Sequence, residues 1–304
     1  GRGAGAVSTN TAVGASALSG GSQTGTYNAV FGYQAGIANT TAGTQAFFGA
    51  LSGYSNTSGD KNTFLGYAAG YFNTTGTSNT SVGYGAYANG TTATGSYNVA
   101  IGDSALRSNT TASNNTAVGY QAGYSNTTGA SNTAMGHTAL LSNTTGGSNS
   151  AFGQGAMYNT TTGAQNTAVG QAALNANTTG DNNVAVGRYA LVNNTTGSAN
   201  ISIGQQALQA NTTASNNTAV GHQAGYGNTT GSANTFVGDS SGYTNSTGLY
   251  NAAFGRRSMY ANTTGSYNTA LGAQDAGNAG ALSANTTGGY NTAVGNGSLA
   301  SNTT

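Results

Sequence analysis

His222, Asp239 and Arg256 stand 17 residues apart, each directly after a glycine. A histidine held by a carboxylate is the pairing of a general base with its orienting partner, so acid–base chemistry in this chain would be sought here first. The supply of such groups is small: 304 residues include two histidines, five acidic residues, six basic residues and no cysteine. The same position in other repeats carries Asp103, His137 and Arg188. No cysteine or activated nucleophile falls in register with the His–Asp pair, and an exposed ion-pair ladder is the simpler reading. His137 and His222 lie five repeats apart, about 24 Å at roughly 4.8 Å per stacked strand, too far to share a metal. The aspartates match no calcium-loop pattern. The chain is therefore expected to have no catalytic, metal or cofactor site and not to be an enzyme.

Two further residue classes are candidates for binding. Tyrosines form one column at Tyr54, Tyr71, Tyr124, Tyr158, Tyr226, Tyr243 and Tyr260, and another at Tyr33, Tyr67, Tyr84 and Tyr120. Stacked aromatic rows could meet a glycan face or a host surface, or simply stiffen the stack. The pattern Asn-x-Ser/Thr makes Asn39, Asn73, Asn109, Asn126, Asn143, Asn177, Asn194, Asn211, Asn228, Asn262 and Asn285 candidate glycan turns, with Asn56, Asn159, Asn245 and Asn302 in the same pattern. Asn-Thr-Thr-Gly is equally good turn chemistry.

What positions these residues is an internal repeat. A glycine ends the pattern Asn-Thr-Ala-Val-Gly at positions 14, 32, 49, 66, 83, 102, 119, 136, 153, 170, 187, 204, 221, 238, 255, 272 and 295, and thirteen of the sixteen intervals are 17 residues. Residues 1–304 read as one continuous array with insertions near 21–25, 89–95 and 273–284. Four residues before each marker glycine stands an asparagine: Asn10, Asn28, Asn62, Asn79, Asn98, Asn115, Asn132, Asn149, Asn166, Asn183, Asn200, Asn217, Asn234, Asn251, Asn268 and Asn291, with Gln45 the one replacement. Amides repeated in register can donate and accept along a column, which predicts a buried structural ladder. The residue just before the glycine is always apolar, from Val13 and Phe31 to Leu271 and Val294, and is expected to be the buried column.

Period-2 alternation makes the segment before the glycine a strand, Asn-Thr-Thr-Gly makes a turn, and no stretch has helical periodicity. The expected fold is all-β: a parallel β-solenoid, or β-roll, of about seventeen 17-residue coils. Only 36% of residues are hydrophobic and 4% charged, with no proline, so stability must come from paired backbone and amide groups rather than from a conventional core. A net charge of +1 excludes a nucleic-acid footprint, and no apolar run is long enough to insert in a membrane. A strand without charge on either face is covered on both, one face inside the coil and the other by sister chains. A homotrimer is the natural closed arrangement, and a single-chain solenoid the alternative.

The Asn-Thr-Ala-Val-Gly-x-x-Ala-Leu units, seen as Val118-Gly119 with Ala122 and Val169-Gly170 with Ala173, resemble the YadA-like head repeats of trimeric autotransporter adhesins and related trimeric adhesive or tail-fibre repeats. The resemblance covers the whole array. It implies a left-handed, trimeric roll on an outer surface, working in attachment. The unit here is longer than the usual head repeat, and neither neck, coiled-coil stalk nor anchor is recognisable; the chain reads as a segment of a longer fibre. The functional expectation is an extracellular, cell-surface or phage or virus particle-surface fibre. It would bind itself as a homotrimer or an end-to-end filament, and it could take a host-surface or glycan ligand. The alternative, from the recurrence of Thr63, Thr116, Thr133, Thr167, Thr218, Thr235 and Thr269, is an ice-binding solenoid.

Overall fold

A computed structural model describes residues 7–88, 92–276 and 278–304. The chain divides into two compact units, 1–149 and 150–304. In the first, eight three-residue strands run parallel: β1 Thr11–Val13, β2 Ala29–Phe31, β3 Ala46–Phe48, β4 Thr63–Leu65, β5 Thr80–Val82, β6 Val99–Ile101, β7 Thr116–Val118 and β8 Thr133–Met135. In the second, nine strands do the same: β9 Ser150–Phe152, β10 Thr167–Val169, β11 Val184–Val186, β12 Ile201–Ile203, β13 Thr218–Val220, β14 Thr235–Val237, β15 Ala252–Phe254, β16 Thr269–Leu271 and β17 Thr292–Val294. Within each unit, neighbouring strands pair in register with the same residues of the next repeat, as Thr167, Ala168 and Val169 do with Val184, Ala185 and Val186. The fold is a parallel β-solenoid, and each 17-residue repeat is one coil. The insertion near 89–95 lies partly outside the described residues, as does residue 277 within the third.

The strands are short because the coil must turn several times within 17 residues. Counting from the marker glycine, the residues at +2, +4 and +12 adopt left-handed backbone, as Gln206, Leu208 and Asn216 do at φ 61°, 46° and 63°. The marker glycine itself sits near φ +130°, and a Cβ built on Gly187 would lie 2.7 Å from the Gly204 carbonyl carbon of the next coil. That contact is with backbone, which cannot move aside, so the column admits only glycine.

The interior corrects one expectation. The column before the marker glycine is not buried: Val13, Leu65, Val169 and Leu271 are exposed to 48%, 49%, 39% and 50%. The buried residue is the one before it, Ala12, Phe47, Phe64, Ala168 or Phe236, at 0–5%. Asparagine at −4 and alanine at −2 share the inner face, while threonine at −3 and the apolar residue at −1 share the outer one, as strand alternation requires. A 17-residue coil is too narrow to hold a large side chain at −2 in every turn. Ala at +3 and Leu or Met at +4 fill the remaining space from the opposite side, as Ala173 and Leu174 do.

Interior volume is shared between −2 and +4, and the coils small at both, Ala117 with Gly123 and Ala219 with Gly225, are filled by Leu106, Leu208 and Phe236 of neighbouring coils. Where +4 is leucine, −2 is small: Ala100 with Leu106, Ala168 with Leu174, Ser202 with Leu208. Where −2 is phenylalanine, +4 is glycine, as in Phe47 with Gly53, Phe64 with Gly70 and Phe236 with Gly242. A Cβ on Gly70 would strike the Phe64 ring, and one on Gly225 would come within 2.8 Å of Phe236 from the neighbouring coil. Phe47 and Phe64 stack at 5.0 Å, giving the interior its aromatic segment.

Candidate functional site

The predicted asparagine ladder is present, in a more constrained form than amide on amide. Within each unit the −4 side-chain oxygen accepts the backbone N–H of its counterpart one coil on: Asn28 N donates to Asn10 Oδ1 at 2.9 Å, Gln45 N to Asn28 Oδ1 at 3.0 Å, and Asn62 N to Gln45 Oε1 at 3.0 Å. The Nδ2 crosses the coil, from Asn28 to the Ala42 carbonyl at 3.1 Å and from Asn217 to the Gly231 carbonyl at 2.9 Å, and at Asn98, Asn183 and Asn200 it also donates to the preceding −4 oxygen at 3.1–3.2 Å. One side chain thus ties its coil shut and joins it to the next. All sixteen are buried except Asn291, which is half-buried. Gln45 preserves both bonds, donating to the Gly59 carbonyl at 2.6 Å.

The candidate glycan turns are a second internal ladder. Asn39, Asn73, Asn109, Asn126, Asn143, Asn177, Asn194, Asn211, Asn228, Asn262 and Asn285 are all at 0–1% exposure. Their Nδ2, the atom that would carry a sugar, donates to the carbonyl three residues on and, in most coils, also to the preceding amide oxygen of the column. Asn194 Nδ2 reaches Asn177 Oδ1 at 3.0 Å and the Gly197 carbonyl at 2.9 Å, and Asn262 repeats this on Asn245 and Gly265. This column carries side-chain amide stacking as well, more regularly than the −4 column does. The adjacent threonines are also engaged: Thr195 Oγ1 donates to the Thr212 carbonyl at 3.0 Å. In these eleven turns the Asn that suits the turn also suits the interior, and Asn56 and Asn245 are buried in the same way, whereas Asn159 in the same pattern is exposed.

Two positions depart from that ladder. Thr160 stands in register with Asn177, and its buried hydroxyl has no partner. In the coil interrupted near 89–95 the Tyr87 phenol reaches the column from +4, donating to the Gly95 carbonyl at 2.9 Å while Asn109 Nδ2 donates to it at 3.4 Å. Burial pushes the Tyr87 phenol up to about 12, and the hydrogen bond from Asn109 opposes this only in part.

On the outer face His222, Asp239 and Arg256 come together as their spacing predicts. His222 Nδ1 lies 3.0 Å from Asp239 Oδ1, and Arg256 Nε 3.6 Å from Asp239 Oδ2, with the three side chains about half exposed. Such a pairing in water contributes on the order of 0–1 kcal/mol. Among the described residues no group of three or more His, Asp or Glu side chains could hold a metal, and no helix is long and apolar enough to cross a membrane.

The tyrosines are half-buried or exposed and stack in pieces. Tyr54 lies on Tyr71 at 4.7 Å, and Tyr226, Tyr243 and Tyr260 form a run at 5.0 Å. Tyr124 and Tyr158 stand in the same column with non-aromatic residues in register on either side. Burial, then the neighbouring phenols, raises the pKa of Tyr71 and Tyr243. In the column after the glycine, Tyr67 stacks on Tyr84 at 5.4 Å and Tyr120 on His137 at 5.2 Å. A third column was not anticipated: Tyr27, Tyr97, Tyr250, Tyr267 and Tyr290 occupy the left-handed position five residues before a marker glycine, and the last three stack at 4.9–5.0 Å. Its signal is Gly-x-Tyr-Asn at 25–28, 95–98, 248–251, 265–268 and 288–291.

No family profile, curated protein or solved structure matches the chain. Functional inference therefore rests on the surfaces themselves. In each unit the outer sheet face carries threonine, or in its place Ala, Ser, Val or Ile, at −3 beside an apolar residue at −1 in every strand. It carries no charge in any strand.

Proposed function

We propose that this chain is a structural fibre segment on an extracellular, cell or particle surface, an adhesin-like shaft or head whose copies associate through the outer sheet face, as a homotrimer. The observation that carries this reading is the exposed apolar column. Val13, Phe48, Leu65, Ile101, Met135, Phe152, Val169, Ile203, Phe254, Leu271 and Val294 are all at least 37% exposed. Contiguous apolar rows of this kind on a water-soluble chain mark surfaces that another chain covers. Three such faces closing on one axis would bury each row once, with no charged residue in the strands to oppose them. The likeness of the Asn-Thr-Ala-Val-Gly units to trimeric adhesin head repeats points the same way. Catalysis has no place in this reading, since the one His–Asp pair belongs to an exposed ion ladder.

Native mass determination with electron micrographs of the same sample tests it. Three chains of 29.6 kDa, about 89 kDa, in elongated particles is the expected result. A compact monomer would overturn the association, and indefinite filaments would replace the closed trimer with an end-to-end assembly. The ice-binding alternative draws on the same face, where Thr116, Thr133, Thr167, Thr218 and Thr235 sit beside the apolar row. Ala29, Ala46, Val99, Val184, Ile201 and Ala252 interrupt that threonine column, and measurable thermal hysteresis by the monomer would be needed to favour it.

A further inference from the structure

A cleft of about 350 Å³ opens on the first unit, over Ala68, Gly85 and Ala88. It exists because two columns become small together. At +2 the series Leu51, Ala68, Gly85 loses its side chain, and a Cβ built on Gly85 would meet nothing within 4 Å. At +5 the tyrosine stack of Tyr54 on Tyr71 is not continued, because Ala88 takes the next position and Arg107 the one after. Tyr67 and Tyr84 form one wall, their rings within 11° of parallel, and Tyr71 with Phe72 at 60° forms an aromatic corner opposite. Arg107 closes the end.

The second unit contains a related cleft of about 290 Å³, lined by Arg257, Tyr260, Gln274 and Ser283, in which the arginine is already engaged. There the stack Tyr226, Tyr243, Tyr260 gives way to Ser283, and Arg257 lies over the Tyr260 ring at 5.0 Å while Nη1 donates to Gln274 Oε1 at 3.1 Å. The protein's own guanidinium covers the last ring. Arg107, by contrast, belongs to no ion pair among the described residues. Asp103 on its coil takes the Ser104 hydroxyl at 2.6 Å and is not paired with it.

We infer that the Arg107 cleft binds an anionic saccharide, the ring resting on the tyrosine walls and its carboxylate on the Arg107 guanidinium. Flat apolar walls edged by the Tyr67, Tyr71 and Tyr84 hydroxyls match a sugar ring, which has C–H faces and a hydroxylated rim. The volume lies in the range of small-ligand sites, about 300–1,000 Å³. Arginine is the side chain that meets a carboxylate with two parallel hydrogen bonds. The inference names a ligand class for the attachment reading and rests on it, yet the cleft is built within one chain. Binding is thus read independently of whether copies associate.

The test is titration of the full chain with disaccharides containing glucuronate, galacturonate or N-acetylneuraminate, followed by tyrosine fluorescence and ligand-observed NMR. At least one should bind saturably. Its uncharged counterpart should bind at least about tenfold more weakly, and Arg107→Ala should lose at least the same factor, as expected for one charge-assisted contact. Ala88→Tyr should abolish binding by continuing the stack into the cleft, with an unchanged or higher melting temperature showing that the coil is intact. Arg257→Ala should leave binding unchanged. The inference is overturned if no acidic disaccharide binds at millimolar concentration, if the neutral disaccharide binds equally, if Ala88→Tyr has no effect, or if benzoate binds as tightly as the uronate.

Discussion

The Tyr87 phenol occupies a place that asparagine holds in neighbouring coils, and its ionisation gives a test at the level of one residue. An unfolded tyrosine loses its proton near pH 10, whereas burial holds the folded Tyr87 proton up to about pH 12. Between those values the native state binds the extra proton, so stability is whole below pH 10 and falls as pH rises towards 12, by at most about 2–3 kcal/mol. Denaturant unfolding at a series of alkaline pH values should show this loss. Tyr87→Phe should remove most of it while costing about 1 kcal/mol at neutral pH for the hydrogen bond to Gly95. Thr160 offers the opposite case. Thr160→Asn recreates the Asn193-Asn194-Thr195-Thr196 pattern, gives Asn177 Nδ2 a second acceptor beside the Gly180 carbonyl and removes an unpartnered buried hydroxyl. It should stabilise by about 1 kcal/mol, read as a higher unfolding midpoint, and a lower midpoint would show that the turn, not the ladder, sets this position.

At the scale of the coil, shared interior volume makes a sharper demand. Phe64→Ala should cost about 3–5 kcal/mol by leaving a cavity, and Gly70→Leu alone should destabilise by overpacking against Phe64. The double substitution converts the coil to the Ala-with-Leu form seen at Ala168 and Leu174, and should recover at least about 1–3 kcal/mol of the summed loss. Additive costs in guanidinium melts would refute the exchange of volume between −2 and +4. Much of this element was legible in the sequence: the 17-residue period, the strand before each glycine, the −4 amides and the His222–Asp239–Arg256 register. The buried side of the strand was not. Large apolar residues at Val13 or Leu65 read as core by hydrophobicity, yet a narrow coil admits only Ala, Ser or an occasional Phe, so the bulkier column faces out. The turn asparagines misled for a related reason, since Asn39 and its counterparts satisfy the glycan pattern, the turn and the interior with one residue type, and only geometry separates these. The Arg107 cleft could not be foreseen either, because it depends on which columns are small in the same coil.

For the whole molecule, the outer face decides between a fibre of associated copies and a solitary solenoid. Aspartate at Val169 and Ile203 together would place charge in the apolar row without touching the interior. It should dissociate the assembly to 29.6 kDa chains while leaving the melting of the isolated coil nearly unchanged. The chain has no cysteine, so a single introduced one reports only on copies of itself. The most direct measurement is pulsed electron–electron dipolar spectroscopy of Val169→Cys carrying a nitroxide, with Gln171→Cys as the comparison on the neighbouring exposed column. Association through the outer face requires a short, narrow distance with three-spin modulation depth at residue 169 and longer distances at 171. A signal without dipolar modulation at 169, or a shorter distance at 171 than at 169, would contradict it.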